Sequence, residues 1–424
     1  MSPWSSRCPR CAAVTALDDG VAGCSPCAAE GVGMPMVPFR TAPAELRRPG
    51  PAPAGLGPMW RWRDHLLPVA DPVSLGEGGT PLLRVAGLPG RVHLKDERVN
   101  PTGSFKDRLA GAVVSRAREQ GADTVVVSSS GNAGVAVAAY AAAAGLRCVL
   151  LGTRALPAAM ASVSLALGAR VLLLPTHADR WSAARTGVAK LGWFPVTNHL
   201  TPPVASHPAG VQAYRTIAFE IAEQLDWRPP DWMAVPVSRG DALFGLYTGF
   251  AELRSLGWTS TVPRMLAVER LPSLTSALAS GTDQPPTQAM PEAVKAFSIG
   301  DPQATAMALH AVRASGGRAL TCTDDDLLGA QQRLAARGVL AELSSAAALL
   351  GAEAVAADGV TVVGLLTARP SPFDFPPSGA DCPSSPSGAT PEYLTDPTDV
   401  AALSGLPQEQ EPLAGAPIPA RDRS

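Results

Sequence analysis

Two groups of residues in this chain have the types and spacing for chemistry. The first centres on Lys106, within Asn100-Pro-Thr-Gly-Ser-Phe-Lys-Asp-Arg108. Asn100, Pro101 and Gly103 break the chain after the apolar run Val92 to Leu94. Ser104 has the short hydroxyl of a helix N-cap, and Asp107 three residues on makes an imperfect capping box. Lys106 is therefore expected in the first turn of a helix, where the positive end of the dipole disfavours a cation. A lysine poised to lose its proton is the amine that Schiff-base chemistry requires. The same residues also describe an ordinary capped helix with a solvated lysine. The lysines are Lys95, Lys106, Lys190 and Lys295, and only Lys106 lies on a polar turn at a helix start. The second group is Cys8-Pro-Arg-Cys11 and Cys24-Ser-Pro-Cys27. Two Cys-x-x-Cys knuckles at this separation can converge as four thiolates around a tetrahedral zinc and close a small ribbon without a core of its own. Such a closed site would be structural; the alternative is two redox or structural cysteine pairs. Cys148, Cys322 and Cys382 are scattered, and Cys148 in its apolar run reads as core.

Three loops could complete a site around the lysine. Ser128-Ser-Ser-Gly-Asn-Ala-Gly134 follows an apolar strand and opens a helix, so its hydroxyls and free amides make an anion site, with Asn132 able to donate to a phenolate-like oxygen. As a bland alternative it is a capped turn. Pro236-Val-Ser-Arg-Gly-Asp-Ala-Leu243 has the same strand-to-helix position and suits a phosphate cradle, but Gly240 is its only glycine. Asp241 puts a negative charge there, which Arg239 could compensate by pointing inward. Glu342-Leu-Ser-Ser-Ala-Ala347 and the strand ending at Thr367 form the third; a strand-terminal hydroxyl can hydrogen-bond a ring nitrogen without protonating it.

The elements that would position these loops follow from periodicity. Candidate strands are 92–94, 124–128, 147–151, 170–174, 195–198, 232–237, 265–269 and 360–366. Candidate helices between them are 105–120, 134–144, 156–167, 180–191, 209–225, 243–256, 303–314, 324–337 and 344–357. Repeated strand-helix-strand order predicts α/β doubly wound, mainly parallel sheets with helices on both faces and ligands at the carboxyl ends of strands. Met59 to Leu67 reads as a short amphipathic helix with His65 on its surface, and Leu75 to Leu82 as a tight glycine-rich loop.

With 424 residues, the chain can hold two or three domains. A net charge of -2 suggests no polyanion-binding surface, so no nucleic-acid partner is expected. The N-terminus lacks the apolar core of a signal peptide, and the uncharged stretch Ser128 to Leu146 is too weakly apolar for a membrane span. A cytoplasmic protein without a membrane partner is expected. The domain reading is a zinc-ribbon-like segment at 1–40, a Pro/Gly linker at 41–58, a catalytic region at 59–369 and a disordered Pro/Ser-rich tail at 370–424.

Together these features resemble the fold-type II pyridoxal-phosphate enzymes, whose fold is that of the tryptophan synthase β chain, and most closely the threonine synthase branch. The residues that carry the resemblance are Gly76-Glu-Gly-Gly-Thr-Pro-Leu82, Lys95-Asp-Glu with Asn100 to Arg108, Ser129-Ser-Gly-Asn132, Thr216 to Leu225, and Glu342 to Ala347. The cysteine ribbon is similar to one that precedes many threonine synthase-like enzymes. The resemblance implies that Lys106 forms the Schiff base with pyridoxal 5'-phosphate and serves as acid and base at the substrate α and γ carbons. It places Asn132 at the cofactor's 3-oxygen, the loop Ser238, Arg239, Gly240, Asp241 and Ala242 at its phosphate, and Thr367 at its ring nitrogen. Ser129, Ser130, Gly131 and Asn132 would hold the carboxylate of a small amino-acid substrate.

Three departures are visible. Ser238, Gly240 and Asp241 stand in what is usually a Gly-x-Gly-Gly-Asn loop, which bears on cofactor affinity. Gln212-Ala213-Tyr214-Arg215 replaces a stretch with a Glu-Gly pair, and Thr367-Ala-Arg-Pro370 replaces Thr-Gly-x-Gly-Leu-Lys; both bear on substrate. The implied reaction is O-phosphohomoserine and water to threonine and phosphate. Alternatives are a threonine or serine dehydratase or β-replacement synthase of the same fold, or a catalytically weakened binding or regulatory relative. By analogy a homodimer is expected.

Overall fold

The computed structural model describes residues 4–17, 21, 23–41, 46–291 and 294–370, with the short pieces 392–393, 396–399 and 404. Apart from Pro370 and those pieces, the tail expected over 370–424 lies outside the described residues. Two α/β layers carry the molecule. The first is a six-stranded sheet in the order Arg318–Thr321, Arg264–Glu269, Trp232–Val237, Thr361–Leu366, Arg91–Asp96 and Leu82–Val85. All neighbours are parallel except Leu82–Val85, which runs antiparallel to Arg91–Asp96. The second is a five-stranded parallel sheet in the order Glu392–Tyr393, Arg170–Leu174, Arg147–Thr153, Thr124–Ser128 and Phe194–Pro195. Every residue of Trp232–Val237 and Thr361–Leu366 is buried, as parallel strands covered by helices on both faces require.

The strands Thr124–Ser128, Arg170–Leu174 and Trp232–Val237 have the bounds that periodicity predicts. The helix expected over 209–225 is instead two, Pro208–Ala213 and Arg215–Gln224, jointed at Tyr214. The edge strands Leu82–Val85 and Arg318–Thr321 and the helix Ser273–Ser280 escaped the pattern, being short and half polar. Residues 58–65 form a 3-10 helix, and His65 is not on the surface: it is 2% exposed, with Nδ1 2.8 Å from a Glu252 carboxylate oxygen. Among the described residues, no helix is long and apolar enough to cross a membrane. The cysteine-bearing segment is a three-stranded antiparallel sheet of Trp4–Arg7, Val14–Ala16 and Val37–Arg40, and it docks on the main body where Gln212 Nε2 donates to the Pro38 carbonyl at 3.2 Å.

A buried ionic network ties the helix Lys106–Glu119 to its surroundings. Arg108, with no exposed surface, donates to Glu97 at 2.7 Å from both Nε and Nη2, and to Glu220 at 2.7 and 2.8 Å from Nη1 and Nη2. Lys95, equally buried, donates to Glu220 at 2.7 Å and to the Thr80 carbonyl at 2.6 Å. Two cations thus meet two carboxylates. Burial pushes the Glu220 carboxyl up, but Arg108 and Lys95 overcome that and hold it well below the usual carboxylate range. A depressed carboxylate contributes stability that is complete above its ordinary pKa and is lost as pH falls below it. Arg108→Met removes one partner and leaves buried negative charge uncompensated, so urea unfolding should show a loss of about 3–5 kcal/mol. A loss below about 1 kcal/mol would mean that the network is not the clamp described.

Candidate active site and cysteine cluster

Lys106 stands where the first turn of its helix meets the end of the last strand. The Phe105 N–H donates to the Thr367 carbonyl at 2.9 Å and the Arg369 N–H to the Gly103 carbonyl at 2.9 Å, so residues 103–105 and 367–369 are stitched side by side. Gly103 is required in this arrangement: its φ is +87°, and a Cβ there would lie 2.3 Å from Arg369 Nε. The expected capping box does not form. Ser104 Oγ accepts from the Lys106 N–H at 3.3 Å, but Asp107 reaches back to the Thr102 N–H at 3.0 Å, because the turn is held by the backbone of residue 367 rather than by a reciprocal cap.

The Lys106 amine faces two aromatic rings, 4.2 Å from the Phe105 centroid and 5.6 Å from that of Tyr214, with the Tyr214 hydroxyl at 3.4 Å. Burial lowers its pKa from 10.5 to about 8; Arg239 adds to the fall, while Asp241 and Glu342 oppose it. The direction agrees with the sequence reading, but burial rather than the helix dipole is the main cause.

Lys106 opens on a cleft between the two sheets that also takes in Ser128 to Ala133, Ser238 to Leu243 and Thr367. The sequence-predicted loops thus converge. Asn132 donates to a Glu342 carboxylate oxygen at 2.7 Å, which fixes its side chain. Ser129 Oγ is turned into its own loop, accepting from the Gly131 and Gly134 N–H groups at 3.0 and 3.1 Å, so it shapes the turn. Ser130, Gly131 and Asn132 line the cleft beside it. Thr367 is held by its N–H, which donates to Ser345 Oγ at 2.7 Å.

The loop at Ser238 to Ala242 is arranged differently from the expectation. Gly240 is the N-cap of the helix Asp241–Ser255, with φ +99° and a Cβ position 2.2 Å from the Ala308 Cβ, and the helix start has no side-chain cap. Asp241 accepts from the Ser206 hydroxyl at 2.6 Å and from its N–H at 3.3 Å. Arg239 does not compensate Asp241. Its Nε and Nη2 donate to Asp301 at 2.9 and 2.8 Å, and its guanidinium stacks 4.3 Å over Trp181. Arg180, Asp301 and Ser206 were not legible as cleft residues, nor Tyr214 as a neighbour of the amine. Tyr214 falls within the stretch Gln212 to Arg215 that departs from the resembled pattern; Arg180 looks like any arginine early in an amphipathic helix.

At the other end of the chain, the Sγ atoms of Cys8, Cys11, Cys24 and Cys27 lie within 4.8 Å of one another. Cys8 and Cys27 are 3.6 Å apart and Cys11 and Cys24 3.5 Å. A tetrahedral zinc with Zn–S near 2.3 Å sets an edge of roughly 3.8 Å. The Arg10 guanidinium and the Cys11 N–H donate towards Cys27 and Cys8 sulfurs, at 3.7 and 3.5 Å.

A lysine with a lowered pKa at the strand ends of paired parallel sheets, faced by an asparagine loop and an uncapped helix start, defines a class. The sequence profile of the pyridoxal-phosphate dependent enzymes matches residues 73–367, and the chain belongs to that family. Within it, the chain is 36% identical over 308 residues to a threonine synthase of Methanosarcina acetivorans, covering 69% of this chain and 73% of that protein. It is 32% identical to a threonine synthase of Methanocaldococcus jannaschii, covering 71% and 76% of the two chains. In fold it is similar to processed threonine deaminase isoform 2 of Solanum lycopersicum, with a TM-score of 0.60 at 18% identity over 79% of this chain and 93% of that one.

The lowered pKa can be read without cofactor or substrate. Competitive amine labelling of the full chain, followed by peptide mass spectrometry, should give Lys106 a midpoint at about pH 8. A midpoint near the ordinary value of 10.5 would contradict the burial described.

Proposed function

We propose that this enzyme acts on a small amino acid with a leaving group at the β or γ carbon, and that its reaction is conversion of O-phosphohomoserine and water to threonine and phosphate. The observation that carries this reading is Lys106, lowered in pKa and brought beside Asn132 and Thr367, in a chain 36% identical to a threonine synthase. The cleft suits pyridoxal 5'-phosphate. The helix Asp241–Ser255 begins without a side-chain cap, and the buried Ser128 hydroxyl has no partner among the described residues. Uncapped first-turn amides at a helix N-terminus are ready donors to a phosphate.

In this reading Lys106 holds the cofactor covalently, Asn132 donates to its 3-oxygen, Thr367 meets its ring nitrogen, and the backbone from Ser238 to Ala242 receives its phosphate. The cofactor supplies delocalisation of negative charge from the substrate α carbon. The protein's share is positioning and proton transfer. With its pKa at about 8, the Lys106 amine is partly neutral near neutral pH, the form that would bond the cofactor; once the substrate amine took its place there, the freed Nζ would take a proton at the α carbon and deliver one at the γ carbon. Glu342 keeps the Asn132 amide aimed, and Ser130 with the Asn132 backbone N–H receives the substrate carboxylate, while Ser129 holds their turn through the Gly131 N–H. The four cysteines hold a structural zinc, closed to substrate. We place the enzyme in the cytoplasm as a homodimer, by analogy with the fold class.

Adding pyridoxal 5'-phosphate to purified chain should produce a visible absorbance band, and Lys106→Ala should lose it together with more than about a thousandfold in phosphate release from O-phosphohomoserine. Persistence of the band in that variant would refute the role of Lys106. Keto-acid formation from threonine or serine without phosphate release would establish a dehydratase instead. For the ribbon, metal analysis should find zinc in the wild type and a clear deficit in Cys24→Ser; equal content would exclude a four-thiolate zinc site.

A further inference from the structure

Arg180 is a buried cation of the cleft with no carboxylate of its own. It is 3% exposed, and its Nε and Nη1 have no hydrogen-bond partner among the described residues. Nη2 lies 2.8 Å from His177 Nδ1. Burial first, and then Arg180 itself, lower His177 to about 4, so the imidazole is neutral and accepts from the guanidinium without balancing it.

The nearby acids are already committed. Asp301 takes both donors of Arg239. Asp179, the preceding residue in the chain, accepts from the Thr176 N–H and hydroxyl in the capping box that starts the helix His177–Leu191. Asp241 is held by Ser206. Two guanidiniums, those of Arg180 and Arg239, therefore share the single carboxylate of Asp301. An unpaired buried charge is costly unless an ion of opposite sign joins it. Arg180 lines the same cleft as Lys106, Ser130 and the uncapped helix start at Gly240 and Asp241, so the place for that ion opens towards the reacting end of the site.

We propose that Arg180 is a phosphate-binding residue, its unpartnered Nη1 donating to an oxygen of a phosphate monoester in the cleft. A charge-assisted hydrogen bond of this kind is what guanidinium offers to phosphate. The inference rests on the reading of the cleft as the pyridoxal-phosphate site and deepens it. Two sources carry the same chemistry: the phosphate of the cofactor, whose usual glycine-rich loop here holds Ser238 and Asp241, and a phosphate at the distal end of the substrate.

Affinities of the full chain for pyridoxal 5'-phosphate, for pyridoxal and for inorganic phosphate separate these sources. If Arg180 holds the cofactor, Arg180→Gln weakens pyridoxal 5'-phosphate binding by about ten- to hundredfold and leaves pyridoxal unchanged. If it holds the substrate, the variant binds the cofactor as the wild type does, but calorimetric binding of inorganic phosphate to the cofactor-loaded chain is lost. Equal affinity of wild type and variant for both ligands overturns the proposal. Should Arg180→Gln fail to fold, Arg180→Lys keeps the charge without the guanidinium, and the same pattern is expected with a smaller drop. A wild type that takes up no pyridoxal 5'-phosphate refutes the proposed function only; phosphate titrated into the cofactor-free chain, with and without Arg180→Gln, then decides for or against Arg180.

Discussion

The ion network around Arg108 is the constraint on which the placement of the reactive amine depends. One guanidinium satisfies Glu97, which follows the strand Arg91–Asp96, and Glu220, on the helix Arg215–Gln224. Arg108 lies two residues after Lys106, so any rotation of the helix that moved the amine would break charge-assisted bonds inside a dry core. Lys95 completes the balance from the same strand. The network is therefore best understood as a device that fixes register: it leaves one way to seat the helix start, and that way turns Nζ into the cleft between Phe105 and Tyr214.

Within that frame the cleft divides its labour by charge. Where a single ionisation state serves structure, opposite charges are matched, as at Arg239 with Asp301 and Arg108 with Glu97. Where chemistry is expected, they are left unmatched: Lys106 has two aromatic rings and a tyrosine hydroxyl, and Arg180 has a neutral imidazole. Mismatch of this kind is expensive in an empty pocket and becomes favourable when the right ligand arrives, which is how a rigid scaffold converts stability into affinity.

Much of this was legible in the sequence because it follows from local pattern. The apolar runs that became Thr124–Ser128 and Trp232–Val237 are buried on both faces, so their composition alone marked them, and the breaks after them marked the loops that converge on Lys106. The spacing of Cys8, Cys11, Cys24 and Cys27 likewise foretold their convergence. What was not legible depends on contacts between distant segments. Pointing inward, Arg239 could have compensated Asp241 in its own loop, but its partner is Asp301, 62 residues away. His65 was read as a surface residue because nothing local shows that Glu252, 187 residues on, reaches over it. The same holds for Tyr214, whose aromatic ring reaches the amine only because the expected helix over 209–225 is jointed there.

The stitching of residues 103–105 to 367–369 also orders the birth of the site in time. Thr361–Leu366 sits between Trp232–Val237 and Arg91–Asp96 in the middle of its sheet, although it is the last of the sheet's strands to be synthesised. Until it emerges from the ribosome, the strands Trp232–Val237 and Arg91–Asp96 on either side have no strand between them to pair with, and the turn that bears Lys106 lacks the carbonyl of Thr367 that holds Phe105. Pairings at such sequence separation form late and slowly. A chain interrupted before Thr361–Leu366 would therefore carry the lysine without the wall that holds its turn, so that the seating of Lys106 and completion of the sheet coincide.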